Sequence, residues 1–132
     1  MICDGKKPRN SVLVVNGDNQ IRNRLSSTLD RMKYDVVVAR NGQAALDLFL
    51  KQSFDIVFTA LKMPGMDGLT LSLQVKATSM NTPVLLILDE HLENIMSRIK
   101  SGRIDGVMSK PLSLGEIQET VQYFETNRNY LF

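Results

Sequence analysis

The chain has 132 residues, which fits one domain with a sizeable core and is too short for two. Hydrophobic residues make up 43% and charged residues 23%, a balance that excludes the disordered and fibrous classes. The formal net charge is only +2 and the Lys and Arg residues are scattered, so we expect no nucleic-acid partner.

Two features bear on location and on metal chemistry. Cys3 is the only cysteine, which excludes a disulfide framework or a cysteine metal site within one chain. The longest aliphatic run, VLLIL at 84–88, is too short to span a bilayer, and the opening MICDGKKPRN lacks the apolar core of a signal peptide. We therefore expect a soluble, cytoplasmic protein that does not bind membranes.

Short apolar runs rich in Val and Ile alternate along the chain with segments of helical periodicity. Runs of this kind are typical of strands buried on both faces of a sheet. The predicted strands cover residues 11–16, 35–40, 54–60, 83–88 and 105–109. The apolar stripes of the predicted helices are Ile21, Leu25, Leu29 and Met32; Ala45, Leu48 and Phe49; Ile95 and Ile99; and Leu114, Ile117, Val121 and Phe124. The capping box SLGE at 113–116 predicts where the last helix begins.

Five strands alternating with five helices predict an α/β fold of the flavodoxin-like, doubly wound (βα)5 kind. We expect a five-stranded parallel sheet of order 2-1-3-4-5, formed by residues 11–126, with tails at 1–10 and 127–132. Such sheets bind ligands at the carboxyl ends of their strands, beside the switch point between strands 1 and 3. The strand ends that we expect to form a site are residues 16–19, 59–62, 88–90 and 109–111.

Four segments contain these strand ends: VLVVNGDNQIRNRL, FDIVFTALKMPGMDGL, TPVLLIL and GVMSKPLS. The most specific part is MPGMDG, followed about forty residues later by a strand that ends in Lys-Pro. In order and spacing the segments resemble the receiver domain of two-component response regulators, over residues 11–126. In that family, acids after strand 1 and an Asp ending strand 3 bind Mg²⁺, and the strand 3 Asp takes a phosphoryl group. A hydroxyl on strand 4 and a Lys on strand 5 hold the phosphate.

This sequence departs from the family pattern at the positions that bind metal and phosphate. The resemblance places the phosphoacceptor at Ala60, which has no nucleophilic atom, and the acidic pair at Asn16 and Gly17. Phosphoryl transfer needs an in-line nucleophile and a cation that neutralises the phosphate oxygens, and Mg²⁺ prefers carboxylates and waters as ligands. With Asp18 set against Lys110, the pocket should be near neutral. We expect no cofactor, and Mg²⁺ binding that is lost or weak.

The positions on strands 4 and 5 are altered as well. The hydroxyl position is Leu88 and the aromatic switch position is Val107, while Lys110 and Pro111 are retained. The resemblance therefore implies a degenerate receiver, or pseudo-receiver, that is not an enzyme. Apolar groups at 60, 88 and 107 would fill part of the pocket and fix one conformation without phosphate.

Several of these residues have a second interpretation that is structural. Asp18 precedes an amphipathic run and could cap the first helix, and Asp67 could serve the next helix in the same way. Lys110 could be solvated or paired with Asp18. Thr59 bears a hydroxyl beside Ala60, but alternation along the strand directs it away from its neighbour's side.

The resemblance implies a protein-interaction module of a phosphorelay, whose partner is a histidine kinase, a phosphotransfer protein or an output protein. Output contacts and homodimer formation would use the face made by the helix after strand 4, strand 5 and the last helix. Residues expected on that face are Glu93, Met96, Arg98, Lys100 and Arg103. Residues expected on the first helix, facing a kinase or phosphotransfer partner, are Gln20, Arg22, Asn23 and Ser27.

Two alternatives remain open from the sequence. Asp18 or another side chain could accept a phosphoryl group in place of Ala60, since Lys110 is retained. A flavodoxin-like binder of a small ligand would use the same sheet, but NGDNQIRN after strand 1 is not a Gly-rich phosphate loop.

Overall fold

A computed structural model describes residues 11–88, 103–110 and 112–130, with side chains described as far as residue 125. Its strands are β1 (Ser11–Val15), β2 (Asp35–Ala39), β3 (Ile56–Ala60), β4 (Val84–Leu88) and β5 (Gly106–Ser109). Its helices are α1 (Asn19–Arg31), α2 (Gly42–Lys51), α3 (Gly68–Thr78) and α4 (Leu114–Tyr130). The helix predicted around Ile95 and Ile99 and the tail at 1–10 lie outside the described residues.

The strands form one parallel sheet in the order β2-β1-β3-β4-β5, as predicted. β1 lies between β2 and β3, with Val12 opposite both Val36 and Ile56. β4 pairs with β3 on one side and with β5 on the other. The carboxyl ends of β1 and β3 are therefore neighbours at the centre of the sheet, where the chain reverses its winding.

Alternation along the strands builds a core on each face of the sheet. Val12 and Val14 of β1 pack with residues of α1 and α4, whereas Leu13 and Val15 pack with residues of α2 and α3. Each of these four side chains is fully buried, which contributes about 1.5–3 kcal/mol per side chain. The continuous apolar runs in the sequence reflect this burial on both faces.

Side-chain caps begin the helices where the sequence predicts them. The carboxylates of Asp18 and Asp67 each accept a hydrogen bond of 2.8 Å, from Gln20 N–H and Thr70 N–H respectively. Ser113 accepts from Glu116 N–H at 3.1 Å, in agreement with the predicted capping box. α4 continues past residue 126 to Tyr130, because neither Gly nor Pro interrupts the sequence there.

The turn between β3 and α3 is closed by a glycine that approaches the sheet. Gly68 N–H donates to Leu61 C=O at 2.8 Å, and a Cβ atom at Gly68 would lie 2.2 Å from the Ala60 carbonyl oxygen. Gly65 adopts a positive φ of 79°, which favours glycine. The Gly68 contacts and the conformation of Gly65 hold the MPGMDG turn over the end of β3.

In the described part of the chain, no helix is both long and apolar enough to cross a membrane.

Candidate functional site

A pocket of about 310 Å³ opens at the carboxyl ends of β1, β3, β4 and β5. Sequence-predicted residues that line it are Asn16, Gly17, Asp18, Ala60, Leu88 and Lys110. Leu61 and Lys62 also line it, and both lie in the strand end 59–62 that was expected to form a site. Ile87 lines it too, although no role was predicted for that residue. Pro111 lies outside the described residues.

Asn16 organises the end of β1 and is only 5% exposed. Its side-chain oxygen accepts from Asp18 N–H at 2.9 Å, and its own N–H donates to Ala39 C=O at 3.1 Å. Its carbonyl oxygen accepts from an Arg22 guanidinium nitrogen at 2.6 Å. The amide at the position of a metal-binding acid therefore stabilises the turn into α1.

Asp18 combines both roles that the sequence suggests for it. One carboxylate oxygen caps α1, and the other lies 3.9 Å from Lys110 Nζ. That separation makes an ion pair but exceeds hydrogen-bond range. The Asp18 and Lys110 side chains are 46% and 29% exposed, so solvent screens their attraction.

The end of β3 presents a methyl group to the pocket. Ala60 lines the pocket, and its carbonyl oxygen accepts from the Thr59 hydroxyl at 2.9 Å. Thr59 is fully buried and does not line the pocket, as the alternation of the strand predicts. Its hydroxyl is thus turned to the backbone and away from the pocket.

Leu88 closes the floor of the pocket and packs with Leu61, Leu69 and Leu86 in an apolar cluster. Val107 packs against that cluster but does not line the pocket. Val107 is the partner of Leu86 across the β4–β5 pair, two residues before the level of Leu88 and Ser109, so its side chain lies beneath the strand ends that form the pocket. The expectation that Val107 fills the pocket is therefore corrected, whereas Ala60 and Leu88 lie where predicted.

The charged groups in the described lining are Asp18, Lys62 and Lys110. The formal charges of these two cations and one carboxylate sum to +1. The sequence predicted a neutral pocket because only Asp18 and Lys110 were counted. The only described oxygen ligands from side chains are the Asp18 carboxylate and the Asn16 amide, which already accept hydrogen bonds. This donor set fits Mg²⁺ poorly, because the ion prefers hard, anionic oxygen ligands in octahedral geometry.

Of the partner-binding residues predicted from the sequence, some are described by the structure and others are not. Arg22 is partly buried, and its guanidinium donates to Asn16 C=O and to the Asn19 side chain, so its hydrogen bonds are intramolecular. Arg103 is exposed. The remaining predicted residues, Glu93, Met96, Arg98 and Lys100, lie outside the described residues.

An open groove of about 950 Å³ lies between α1 and the segment that leads into α4. Arg24 crosses it, donating to Leu112 C=O at 2.9 Å. The predicted α1 residues Gln20, Asn23 and Ser27 line the groove, with Ile21, Thr28, Arg31, Lys110 and Asp18. Lys110 and Asp18 belong to both the groove and the pocket, so the two cavities are adjacent.

Comparison with known proteins matches residues 12–122 to the family described as "Response regulator receiver domain". The chain is 33% identical over 114 residues to the response regulator protein PilR of Pseudomonas aeruginosa, covering 86% of this chain and 25% of PilR. The chain thus spans about a quarter of the length of that curated relative.

Solved structures give the same result for the fold. The chemotaxis protein CheY4 of Vibrio cholerae matches with 28% identity and a TM-score of 0.82, covering 88% of this chain and 98% of CheY4. The signal receiver domain of an HD domain-containing protein from Pseudomonas fluorescens matches with 28% identity and a TM-score of 0.84, covering 92% of this chain and 98% of that one.

Proposed function

Because the chain belongs to the response regulator receiver family, we propose that it is a signalling module that takes up no phosphoryl group itself. In this proposal it is a pseudo-receiver, not an enzyme, and it acts through contacts with other proteins. Its partners would be a histidine kinase, a phosphotransfer protein or an output protein.

Ala60 is the observation that carries the proposal. It lines the strand-end pocket and offers only a methyl group, and the resemblance to the family puts the phosphoacceptor at this position. Phosphoryl transfer is catalysed almost entirely by positioning and charge, so a nucleophile must lie in line with the donor. A methyl group has no lone pair with which to attack.

Asp18 is poorly suited to replace the missing nucleophile. One of its carboxylate oxygens accepts from Gln20 N–H at 2.8 Å, which ties the side chain to the start of α1. The carboxylate belongs to a different strand end from Ala60 and would meet a phosphodonor from another direction. Such a displacement from the in-line position costs orders of magnitude in rate.

The apolar cluster beneath the pocket supports a single conformation. Leu61, Leu69, Leu86 and Leu88 are at least 91% buried and pack together, with Ile104 and Val107 against them. A ligand shifts a two-state equilibrium only when it binds the two states unequally. Without phosphorylation of this chain, any change of state would have to come from a bound partner.

We place partner docking at the groove between α1 and the start of α4. Gln20, Asn23 and Ser27 are exposed there, and the half-buried Ile21 adds apolar surface. Arg24 and Arg31 make the groove basic, which would favour an acidic partner surface. A homodimer would instead use β5 and α4, where the Tyr123 side chain is 60% exposed.

The test of the proposal is the intact mass of the chain after incubation with Mg²⁺ and a small phosphodonor. An ordinary receiver treated in parallel shows that the donor is active. We expect the mass of this chain to stay constant while the control gains one phosphoryl group. Stable phosphorylation of this chain at any residue would overturn the proposal.

A further inference from the structure

We propose that the outer edge of β2 is an interaction surface, which pairs antiparallel with the same strand of a second copy of this chain. β2 ends the sheet, because β1 is its neighbour on one side and the order of the described strands places none on the other. The inference goes beyond the proposed function, since β2 contributes no residue to the strand-end pocket or to the groove between α1 and α4.

The backbone of β2 has hydrogen-bonding groups that face away from the sheet. Asn16 N–H donates to Ala39 C=O at 3.1 Å, so Ala39 directs its backbone groups toward β1. Successive residues of a strand direct these groups to alternate edges, and Val36 and Val38 therefore direct theirs to the outer edge. A row of such groups is a template for pairing with another chain.

The side chains of β2 are apolar but incompletely buried. Val38 is 46% exposed, and Val36 and Val37 are half-buried, although the β1 residues opposite them are fully buried. Proteins commonly protect an edge strand with Lys, Pro or a β-bulge. Residues 36–39 are three valines and an alanine, in unbroken register with β1. A second strand beside β2 would cover part of this apolar surface.

A two-fold axis at Val37 makes the edge self-complementary. Val36 of one copy then lies opposite Val38 of the second copy, and both residues direct their backbone groups across the junction. Residues with this orientation exchange both hydrogen bonds in an antiparallel pair. The contact is isologous, so it closes after the second copy has bound and does not continue into a filament.

Charge favours a second copy as the occupant of this edge. Asp35 begins β2 and Arg40 follows its last residue, and both are exposed. In the antiparallel arrangement the amino end of each strand lies beside the carboxyl end of the other, so opposite charges are brought together. Asp35 also interacts with a group of its own chain, and attraction to a second copy would add to that interaction.

The contact is small, so we expect a weak dimer that forms as the protein concentration rises. β2 has only five residues, and pairing of two such strands buries far less than the roughly 1,200–2,000 Å² of a stable interface. β5 is the opposite edge of the sheet. A homodimer through β5 and α4 is therefore a different contact, which variants can distinguish from this one.

The experiment is sedimentation velocity of the full chain over a wide range of concentrations, which gives the dissociation constant of the dimer. Val38→Pro removes an outward N–H and keeps the hydrogen bonds between β2 and β1. It should weaken dimerisation by about tenfold, because symmetry removes the lost bond from both halves of the contact. Val38→Lys keeps the N–H but adds a charge that protects the edge, and it should also weaken dimerisation. Leu50→Lys, at a leucine of α2 that is 61% exposed, is the matched control and should have no effect.

A charge exchange tests the antiparallel direction. Arg40→Glu should weaken dimerisation, because it places two acidic groups beside each other, and addition of Asp35→Lys should restore it. A chain that stays monomeric over the whole range of concentrations would overturn the proposal. So would a dimer that Val38→Lys leaves intact and Tyr123→Lys disrupts, which would assign the contact to the face made by β5 and α4.

Discussion

Asp18 Oδ2 lies 3.9 Å from Lys110 Nζ, while the other oxygen of the same carboxylate accepts from Gln20 N–H at 2.8 Å. The carboxylate is therefore hydrogen-bonded to the helix that it begins and only loosely paired with the lysine across the pocket. We therefore expect the N-cap hydrogen bond of Asp18, and not its ion pair with Lys110, to stabilise the fold.

Asp18→Ala should lower the free energy of unfolding by about 1 kcal/mol, because α1 loses its N-cap. Asp18→Asn keeps a capping oxygen and removes the charge, so its stability should remain close to that of the parent chain. Urea unfolding of the three proteins measures this. Equal destabilisation by Asn and Ala would instead assign the stabilising role to the ion pair with Lys110.

Gly68→Ala should destabilise the chain by about 1–3 kcal/mol, as expected when extra volume is forced into a packed site. A Cβ atom there would lie 2.2 Å from the Ala60 carbonyl oxygen, so the turn over β3 would have to move. Gly115→Ala is the matched control, because nothing lies within 4 Å of its Cβ position near the start of α4. Alanine should stabilise that helix by up to about 1 kcal/mol, and thermal unfolding would reveal the opposite signs.

Lys76 and Asp105 join α3 to the starts of β4 and β5. Lys76 Nζ lies 2.7 Å from Asp105 Oδ2 and 2.9 Å from Thr82 C=O, and the same carboxylate oxygen accepts from Val84 N–H at 2.8 Å. The Lys76 side chain is 11% exposed, so Asp105→Ala would leave a mostly buried ammonium and an amide without this acceptor. We expect a loss of about 1–3 kcal/mol on urea unfolding.

Asp47→Ala provides the comparison for the Asp105 variant. Asp47 is exposed on α2 and accepts a hydrogen bond from Gln43 at 3.1 Å. Its removal should change stability by less than about 0.5 kcal/mol. If the Asp105 and Asp47 variants lose the same free energy of unfolding, the contact between Lys76 and Asp105 stabilises the fold no more than a surface contact does.

Carboxylates returned to the family's acidic positions should restore a metal site. The triple variant Asn16→Asp, Gly17→Asp and Ala60→Asp adds three negative charges around Asp18. A side chain fits at Gly17, whose Cβ position has only Arg40 O within 4 Å, at 3.8 Å. Calorimetry should detect Mg²⁺ binding to this variant and much weaker binding to the parent, because carboxylates dominate Mg²⁺ affinity. Equal affinity would show that other groups decide it.

The sheet order was predictable because Val-rich runs alternate with segments of helical periodicity, and because crossovers between parallel strands are right-handed. The carboxyl ends of parallel strands lie at one edge of a sheet, and this rule placed Asn16, Ala60, Leu88 and Lys110 where the pocket lies. Asp18 and Asp67 were correctly considered as helix caps, since the residue types and their positions before helices carry that signal.

Other features depend on three-dimensional contacts that no periodic pattern encodes. Lys62 lies in the predicted strand end 59–62, but the expected pocket charge counted only Asp18 and Lys110, and the path of the turn after β3 brings the Lys62 ammonium into the lining as well. Val107 faces the cluster beneath because it pairs with Leu86, and the pairing register is not visible in the sequence. The hydrogen bond from the Arg22 guanidinium to Asn16 C=O was likewise not predicted, and partner binding by Arg22 stays a prediction.

The proposed absence of phosphorylation is tested by comparing the parent chain with the triple variant Asn16→Asp, Gly17→Asp and Ala60→Asp. Both are incubated with Mg²⁺ and a small phosphodonor, and their intact masses are measured. We expect no change in the mass of the parent, whereas a gain of one phosphoryl group by the variant would show that the absence of these acids prevents phosphorylation. Phosphorylation of the parent chain would show that it does take up a phosphoryl group, and peptide mapping would then identify the residue that accepts it in place of Ala60.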